Sequence, residues 1–234
     1  MSSDPVFFCL HPSDSRITHT AIHTKQEALT LRKLQSPTEA TAQEVYLPGG
    51  LGPEPTGNVT ALFTPSPATY PGNYFTMLAV LEHPFSRGSV HITSSDPNAY
   101  PTIDPDYLAH PLDLQLVSQI PLHLQQVART PPLSNHLKEG GHVFAPGFYE
   151  LDESNVEAFV RDSFSSEYHP MGTCAMGPRH ESGVVDERLR VHGTRNLRVV
   201  DASVFPLQVR GNLASLVYAV AERAADLVKE DAGS

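Results

Sequence analysis

The sequence predicts an α+β fold, in which a mostly antiparallel sheet carries flanking helices and a long helix closes the chain. The first observation is a pair of β-type runs, residues 74–81 and 89–93, separated by turn residues that include FSRG. Two such runs across a short connection indicate an antiparallel hairpin. The second observation is the apolar stripe of residues 213–228, whose helical spacing is the most complete in the chain.

Three further segments have helical patterns. Residues 25–34 fit a short helix, and residues 112–127 fit a helix interrupted or kinked near Pro121, because proline lacks the backbone N–H that a helix interior uses. Residues 152–164 predict an amphipathic helix that starts with acidic residues, which suit the positive end of the helix dipole.

Other segments predict strands and a loop. Residues 6–10 and 17–24 alternate loosely and could form two short strands, and residues 197–201 fit a buried strand. Residues 48–73 are rich in proline and glycine, which predicts a loop.

Composition narrows the class of function. The 234 residues are 40% hydrophobic and 18% charged, which is typical of a globular protein with a real core. The formal net charge of -10 opposes binding to nucleic acid, and no basic cluster is present to hold an anionic membrane. The N-terminal apolar run, residues 6–10, is too short for a signal peptide or a membrane span, so we expect a cytoplasmic protein.

The sequence offers little support for a disulfide framework or a metal site. It has two cysteines, Cys9 and Cys174, and no C-x-x-C or H-E-x-x-H pattern. A site built from His169, Cys174 and His180 would need unusual ligand spacing, so no metal is expected. We interpret Cys174, which lies among small residues, as a buried packing thiol.

Five stretches carry the chemical information. They read PFSRGSV at 84–90, PTIDP at 101–105, YHPMGTCAMG at 168–177, NLRVVDASVFP at 196–206 and GN at 211–212 followed by YAVAERAADL at 218–227. In this order they resemble the C-terminal, substrate-side half of the glucose–methanol–choline (GMC) oxidoreductases, a family of flavoenzymes. The resemblance covers about residues 74–230. It divides the chain into a variable, loop-rich, substrate-side segment, residues 1–73, and a GMC C-terminal domain, residues 74–234.

The resemblance implies a role for several residues. His169 matches the base that takes the proton of an alcohol while hydride leaves to the flavin of FAD. Asn212 matches the position that hydrogen-bonds the substrate oxygen, and Asp201 and Ala202 match the strand end that meets the phosphate and ribityl side of FAD. A base and a hydrogen-bond donor at one oxygen act where charge develops during the reaction.

We assign two neighbouring residues to the substrate. Tyr168 precedes the base, and Arg210, where a small residue would be expected, could bind an anionic substrate. The residues assigned to the reaction and to FAD also have simpler structural interpretations. Asn212 is a good helix N-cap, Asp201 could cap the turn that follows it, and a histidine before proline is often a turn residue.

The family's usual Gly-rich dinucleotide motif is not found in these 234 residues. Three hypotheses follow. The chain is an FAD-dependent half-site that oxidises a CH–OH group of a small molecule with a separate flavin domain. Alternatively, it is a flavin-independent isomerase, dehydratase or cyclase that uses His169 and Asn212, or a non-catalytic binding remnant. In the family, the strand at residues 197–201 and the helix at residues 212–230 would pack on the flavin domain. A chain without that domain should expose apolar surface there, which predicts self-association.

Overall fold

A computed structural model describes residues 21–49, 73–138 and 150–233. The described elements are helices α1 (Ala21–Leu34), α2 (Pro111–Ala128), α3 (Val156–Ser163) and α4 (Ala214–Ala232), strands β1 (Ala42–Leu47), β2 (Thr76–Leu81), β3 (Ser89–His91) and β4 (Thr102–Asp104), and single 3-10 turns at Leu133–Asn135, Arg179–Glu181 and Ala202–Val204. Both sheets of the described residues are two-stranded and antiparallel, and helix α2 packs against β2. The predicted α+β class, with its long C-terminal helix, is confirmed.

The helices form where the periodicity predicts them, with different bounds. The helix predicted from residue 25 begins at Ala21, so residues 21–24 are helical and not part of a strand, and residues 6–10 and 17–20 lie outside the described part. Of the interruption or kink predicted near Pro121, the interruption is wrong, because α2 continues through that residue. That helix starts where Pro111 occupies the first turn and the His110 Nδ1 accepts from the Leu112 N–H at 3.3 Å.

The predicted hairpin between residues 74–81 and 89–93 is wrong. Strand β2 pairs instead with β1, from Ala42 opposite Leu81 to Leu47 opposite Thr76. Strand β3 pairs with β4, with Val90 opposite Ile103. The two predicted strands therefore exist, but each belongs to a different sheet. Of the loop predicted at residues 48–73, only Pro48, Gly49 and Asn73 lie within the described residues.

A buried carboxylate explains the separation of β2 from β3. Asp113, near the start of α2, is 2% exposed and accepts hydrogen bonds from the Phe85 N–H at 2.8 Å, the Ser86 N–H at 2.7 Å and the Ser86 hydroxyl. These bonds tie the connection after β2 to a helix, so the chain cannot fold directly back on β2. Gly88 then passes against Asp104, where an added Cβ would lie 2.3 Å from the Asp104 carbonyl oxygen.

The buried strand predicted at residues 197–201 is also wrong. Only one bridge forms there, between Arg190 and Arg198, supported by backbone bonds between Val199 and Leu189 at 3.2 Å. Leu197 is 52% exposed. Val199 packs against the C-terminal core, whereas Val200, like Leu197, is exposed, at 41%.

One hydrophobic cluster organises the C-terminal third of the molecule. Its buried members are Val185, Leu189, Val204, Phe205, Leu213 and Ala224, and Met171, Met176, Leu216, Val217 and Val220 are among the half-buried side chains packed against it. The predicted apolar stripe of α4 thus faces this core, although Val228 at its end is 49% exposed. The cluster joins the segment that follows His169 to the segment that follows Asn212.

Helix α1 is fastened to the same region by polar contacts. The buried Gln26 side chain donates to the Pro206 carbonyl and accepts from the Arg87 guanidinium at 3.3 Å. Lys25 pairs with Glu181. Helix α1 is therefore in direct contact with the segments that follow residues 168–177 and 196–205.

Candidate active site

The segment that contains His169 has an unusual backbone. Tyr168 adopts φ of 61° and Gly172 adopts φ of 90°, so a left-handed residue stands on each side of His169 and Pro170. The Tyr168 N–H is satisfied by the Ser166 hydroxyl at 3.0 Å. A left-handed tyrosine is uncommon and persists only when its surroundings fix it, and such positions cluster at functional sites.

Backbone hydrogen bonds fix the rest of this segment. Gly172 N–H donates to the Ala202 carbonyl at 3.4 Å, Cys174 N–H to the Ser203 carbonyl at 2.9 Å and Met176 N–H to the Val204 carbonyl at 2.8 Å. These bonds join the His169 motif directly to the Ala202–Val204 turn that follows Asp201. Cys174 is a free, half-buried thiol, so the prediction of a buried thiol was too strong.

The His169 ring is half-buried, and its Nε2 is enclosed. This nitrogen has no hydrogen-bond partner among the described residues. Buried polar atoms are nearly always partnered, and exceptions concentrate where a ligand or a catalytic function uses the atom. The arrangement suits a group that exchanges a proton with a bound molecule.

Asn212 is exposed and stands immediately before α4. The simpler reading of Asn212 as an N-cap is wrong, because the cap position is Leu213, which has no side-chain capping bond. No hydrogen bond of the Asn212 carboxamide to any described residue is present, so the side chain is available to a ligand. The free N–H groups of the first turn of α4 lie directly after it.

Asp201 has a structural task as well as an exposed position. Its Oδ1 accepts from the Ser203 N–H at 2.8 Å and from the Ser203 hydroxyl, so it caps the 3-10 turn Ala202–Val204. The capping alternative is therefore confirmed. Asp201 remains exposed, which is compatible with contact to a polar cofactor group at this turn.

The two predicted substrate residues differ in their surroundings. Tyr168 is 44% exposed. The Arg210 guanidinium lies 3.5 Å from the Glu39 carboxylate and remains half-exposed. Glu39 also lies 3.4 Å from Lys33, so the N-terminal segment supplies both charges around Arg210. Its positive charge is thus partly balanced before any substrate binds.

The sequence analysis missed two residues beside the loop 208–211, which leads to Asn212. Glu82 and His83, each 5% exposed, follow β2 and bond to Gly211 and Gln208 on the other side of the fold. Burial lowers the pKa of His83, and the nearby cations Lys33 and Arg210 act in the same direction, against the Gln208 carbonyl and Glu82. A glutamate followed by a histidine at a strand end carries no signal of burial in the sequence.

Comparison with known proteins identifies the family of this chain. The family model described as GMC oxidoreductase, for its C-terminal domain, matches residues 84–221, which contain His169, Asp201, Ala202, Arg210 and Asn212. This chain belongs to the GMC oxidoreductase family. The GMC oxidoreductase family protein Mala s 12 of Malassezia sympodialis is 45% identical over 150 residues, 64% of this chain and 24% of that protein.

Two solved structures extend the match to the fold. A fungal aryl-alcohol oxidase is 34% identical with a TM-score of 0.59, and the match covers 70% of this chain and 27% of that one. The Aspergillus oryzae formate oxidase, whose FAD modification was studied, is 25% identical with a TM-score of 0.71, covering 89% and 35%. The GMC chain described here therefore spans about a quarter to a third of the length of the relatives it matches.

The described residues contain no group of three or more His, Cys, Asp or Glu side chains that could hold a metal ion. None of the four described helices combines the length and the apolar character needed to cross a bilayer.

Proposed function

We propose that this GMC chain forms the substrate side of an alcohol-oxidising active site, with His169 as the general base. The observation that carries the proposal is the enclosed His169 Nε2, which has no protein partner in the described residues and lies in a segment fixed by its backbone. A ring nitrogen of this kind can accept the proton of a hydroxyl group, and imidazole does so near neutral pH.

Asn212 is proposed to act on the same substrate oxygen. Its carboxamide N–H donates to the oxygen as that atom gains negative charge. The N-terminal end of α4, which begins two residues later at Ala214, adds the positive end of a helix dipole. Both effects favour the alkoxide-like state from which an alcohol carbon loses hydride.

The residues fit FAD as the acceptor. FAD supplies, when bound, the acceptor for that hydride. Asp201 and Ala202 are proposed to hold its phosphate and ribityl side, since Asp201 is exposed and the Ala202 carbonyl accepts from the Gly172 N–H of the His169 motif. The pyrophosphate needs a Gly-rich turn that residues 1–234 do not contain, so we propose that a flavin domain outside this sequence supplies it.

The proposed substrate is a small-molecule alcohol, or its carbonyl product in the reverse direction. Tyr168 and Arg210 are proposed to contact it. The names of the matched relatives include an aryl-alcohol oxidase, which supports oxidation of a CH–OH group. The partly balanced charge of Arg210 favours a neutral alcohol over a carboxylate.

The test is the rate at which an alcohol bleaches the flavin absorbance under anaerobic conditions, in flavin-loaded protein that includes the proposed flavin domain. His169→Ala should slow this step by about 10²- to 10⁴-fold, the usual contribution of a general base. His180→Ala is the matched control, because its side chain is 81% exposed and it should leave the rate unchanged.

Other outcomes separate the alternatives. A colourless protein that binds no added flavin, yet performs isomerisation or dehydration in a His169-dependent manner, would support flavin-independent acid–base catalysis. An inert protein that retains one tight partner would support the binding role. An equal rate in the His169→Ala and His180→Ala variants rejects His169 as the base.

A further inference from the structure

The loop that leads into α4 is held at two points by residues that follow β2. The Gly211 N–H donates to the Glu82 Oε2 at 2.8 Å, and the His83 Nδ1 lies 3.0 Å from the Gln208 carbonyl oxygen. Glu82 and His83 are each 5% exposed. The loop between these contacts ends at Asn212, so the contacts fix the backbone from which that side chain extends.

Glu82 is a suitable support because its own backbone is fixed. Its N–H donates to the Thr41 carbonyl at 3.1 Å, just beyond the paired ends of β1 and β2. A carboxylate removed from water needs hydrogen-bond donors, and the bonds it accepts are stronger than those between neutral groups. The donor here is the peptide group of the residue directly before Asn212.

Gly211 shows why such a support is needed. It adopts φ of 73°, and a Cβ added to it would meet no atom within 4 Å. Glycine is therefore required for the backbone direction and not for space. Because glycine is free to adopt many conformations, an external bond must select this one. The Glu82 carboxylate provides that bond.

His83 restrains the other end of the loop. Its burial lowers the pKa of the ring, so the imidazole is neutral near pH 7. A carbonyl oxygen only accepts hydrogen bonds, so the proton of neutral His83 is on Nδ1, which donates to Gln208. The two contacts together tie residues 208–211 to the end of the β1–β2 sheet.

We propose that Glu82 and His83 are positioning residues, which hold the Gln208–Gly211 loop so that Asn212 meets the substrate oxygen. The inference rests on the proposed function for its catalytic consequence. The restraint on Gly211 can be measured without turnover. Neither residue needs to contact substrate or cofactor for this role.

The experiment compares the full chain with its Glu82→Ala and Glu82→Gln variants by amide hydrogen exchange at Gly211. Losing a hydrogen bond to a charged group should speed that exchange by about ten- to a hundredfold in Glu82→Ala. Glu82→Gln keeps a carbonyl acceptor and should give a smaller effect, and it remains informative if Glu82→Ala fails to fold. Val217, whose N–H bonds to Leu213 inside α4, should be unchanged.

Asp186→Ala is the matched control, because Asp186 accepts the backbone N–H groups of Arg188 and Arg190 in a different loop. It should leave Gly211 exchange unchanged. In the flavin-loaded protein, Glu82→Ala should lower kcat by about ten- to a hundredfold with a smaller change in KM, the usual consequence of a misplaced catalytic group.

The outcomes separate this inference from the proposed function. Unchanged Gly211 exchange in both Glu82 variants overturns the inference. Faster exchange with unchanged kcat also overturns it, because the loop would then move without consequence for Asn212. In either case a slow His169→Ala variant leaves the proposed function intact. Full turnover in His169→Ala instead overturns the proposed function, whatever Gly211 shows.

Discussion

Gly183 determines whether the end of the His169 motif can form. A Cβ at Gly183 would lie 2.1 Å from the Gly177 carbonyl oxygen, which is backbone and cannot rotate away. Gly183→Ala should therefore lower the free energy of unfolding by about 3 kcal/mol, the upper part of the usual range for overpacking. Urea unfolding of the purified chain measures the loss.

Gly193→Ala is the control for this prediction. Its φ is 77°, but an added Cβ would be 3.6 Å from the Arg179 guanidinium, an ordinary contact with a flexible side chain. Only the left-handed backbone is then strained, at about 1 to 2 kcal/mol. Equal losses in the two variants would mean that the Gly177 contact relaxes and that backbone conformation alone matters.

At the same scale, residue types were predictable where chemistry restricts them and unpredictable where burial decides. The Asp201 cap follows from its local sequence and is confirmed, and the turn that it caps is bonded to the His169 motif at Gly172. The role of His169 stays a prediction. Glu82 shows the opposite case. Its burial depends on a loop 129 residues away, and no local pattern encodes that contact. Asn212 was misread as a cap because helix boundaries are uncertain by one or two residues.

The C-terminal end of α4 depends on ion pairs with a different part of the chain. Arg188 pairs with Glu230 at 3.0 Å and with Asp231 at 2.7 Å, and Arg198 also pairs with Asp231. The bond from Arg188 lowers the pKa of Glu230. Partial burial opposes a low pKa at Asp231, but the bonds from Arg188 and Arg198 outweigh it and lower that pKa as well.

These lowered pKa values predict loss of the last turn of α4 in acid. A carboxylate whose folded pKa is below its unfolded value stabilises the fold at neutral pH, and the contribution disappears as pH falls through the folded pKa. Asp231→Asn should reproduce the effect at neutral pH. Carbon chemical shifts of residues 228–232, which report helix, provide the measurement.

Asp226→Asn is the matched variant, because Asp226 pairs with a residue of α4 itself, Lys229, at 3.8 Å. The helix dipole alone disfavours an acid near a helix C-terminus by about 0.3 to 1 kcal/mol. If the ion pairs with Arg188 and Arg198 contributed nothing, Asp231→Asn would raise the helicity of residues 228–232, because it removes an acid that the helix dipole disfavours. We expect the helicity to fall instead, so the sign of the change tests whether the ion pairs stabilise this turn.

Among the elements, those stabilised by local spacing were predictable and pairings between distant strands were not. Helix α4 follows from its apolar stripe. The pairing of β2 with β1 spans a segment without β-type pattern, and the bonds of Asp113 to residues 85–86 prevent the nearer hairpin. The short connection between β2 and β3 made a hairpin of these two strands the expected pairing. The bonds of the buried Asp113 carboxylate outweighed that advantage.

At the scale of the whole molecule, the GMC chain leaves large apolar side chains open to solvent. Ile92 and Tyr100 of the β3–β4 hairpin are 89% and 91% exposed, Tyr218 of α4 is 75% exposed and Leu197 is 52% exposed. Surfaces of this kind mark interaction sites or a tendency to associate. The resemblance predicted this exposure on α4 and residues 197–201, the parts that would pack on a flavin domain.

We expect the 234-residue chain alone to self-associate through these side chains. Its net charge of -10 repels a second copy, so association should strengthen when salt screens that charge and sulfate reinforces apolar contacts. Sedimentation velocity at increasing concentration measures it. Tyr218→Lys should shift the distribution toward monomer, whereas Gln119→Lys, an equal charge change at an exposed polar position, should do so less. A chain that stays monomeric at high concentration in sulfate would contradict the expectation, since neither repulsion nor weak apolar contact could then explain the result.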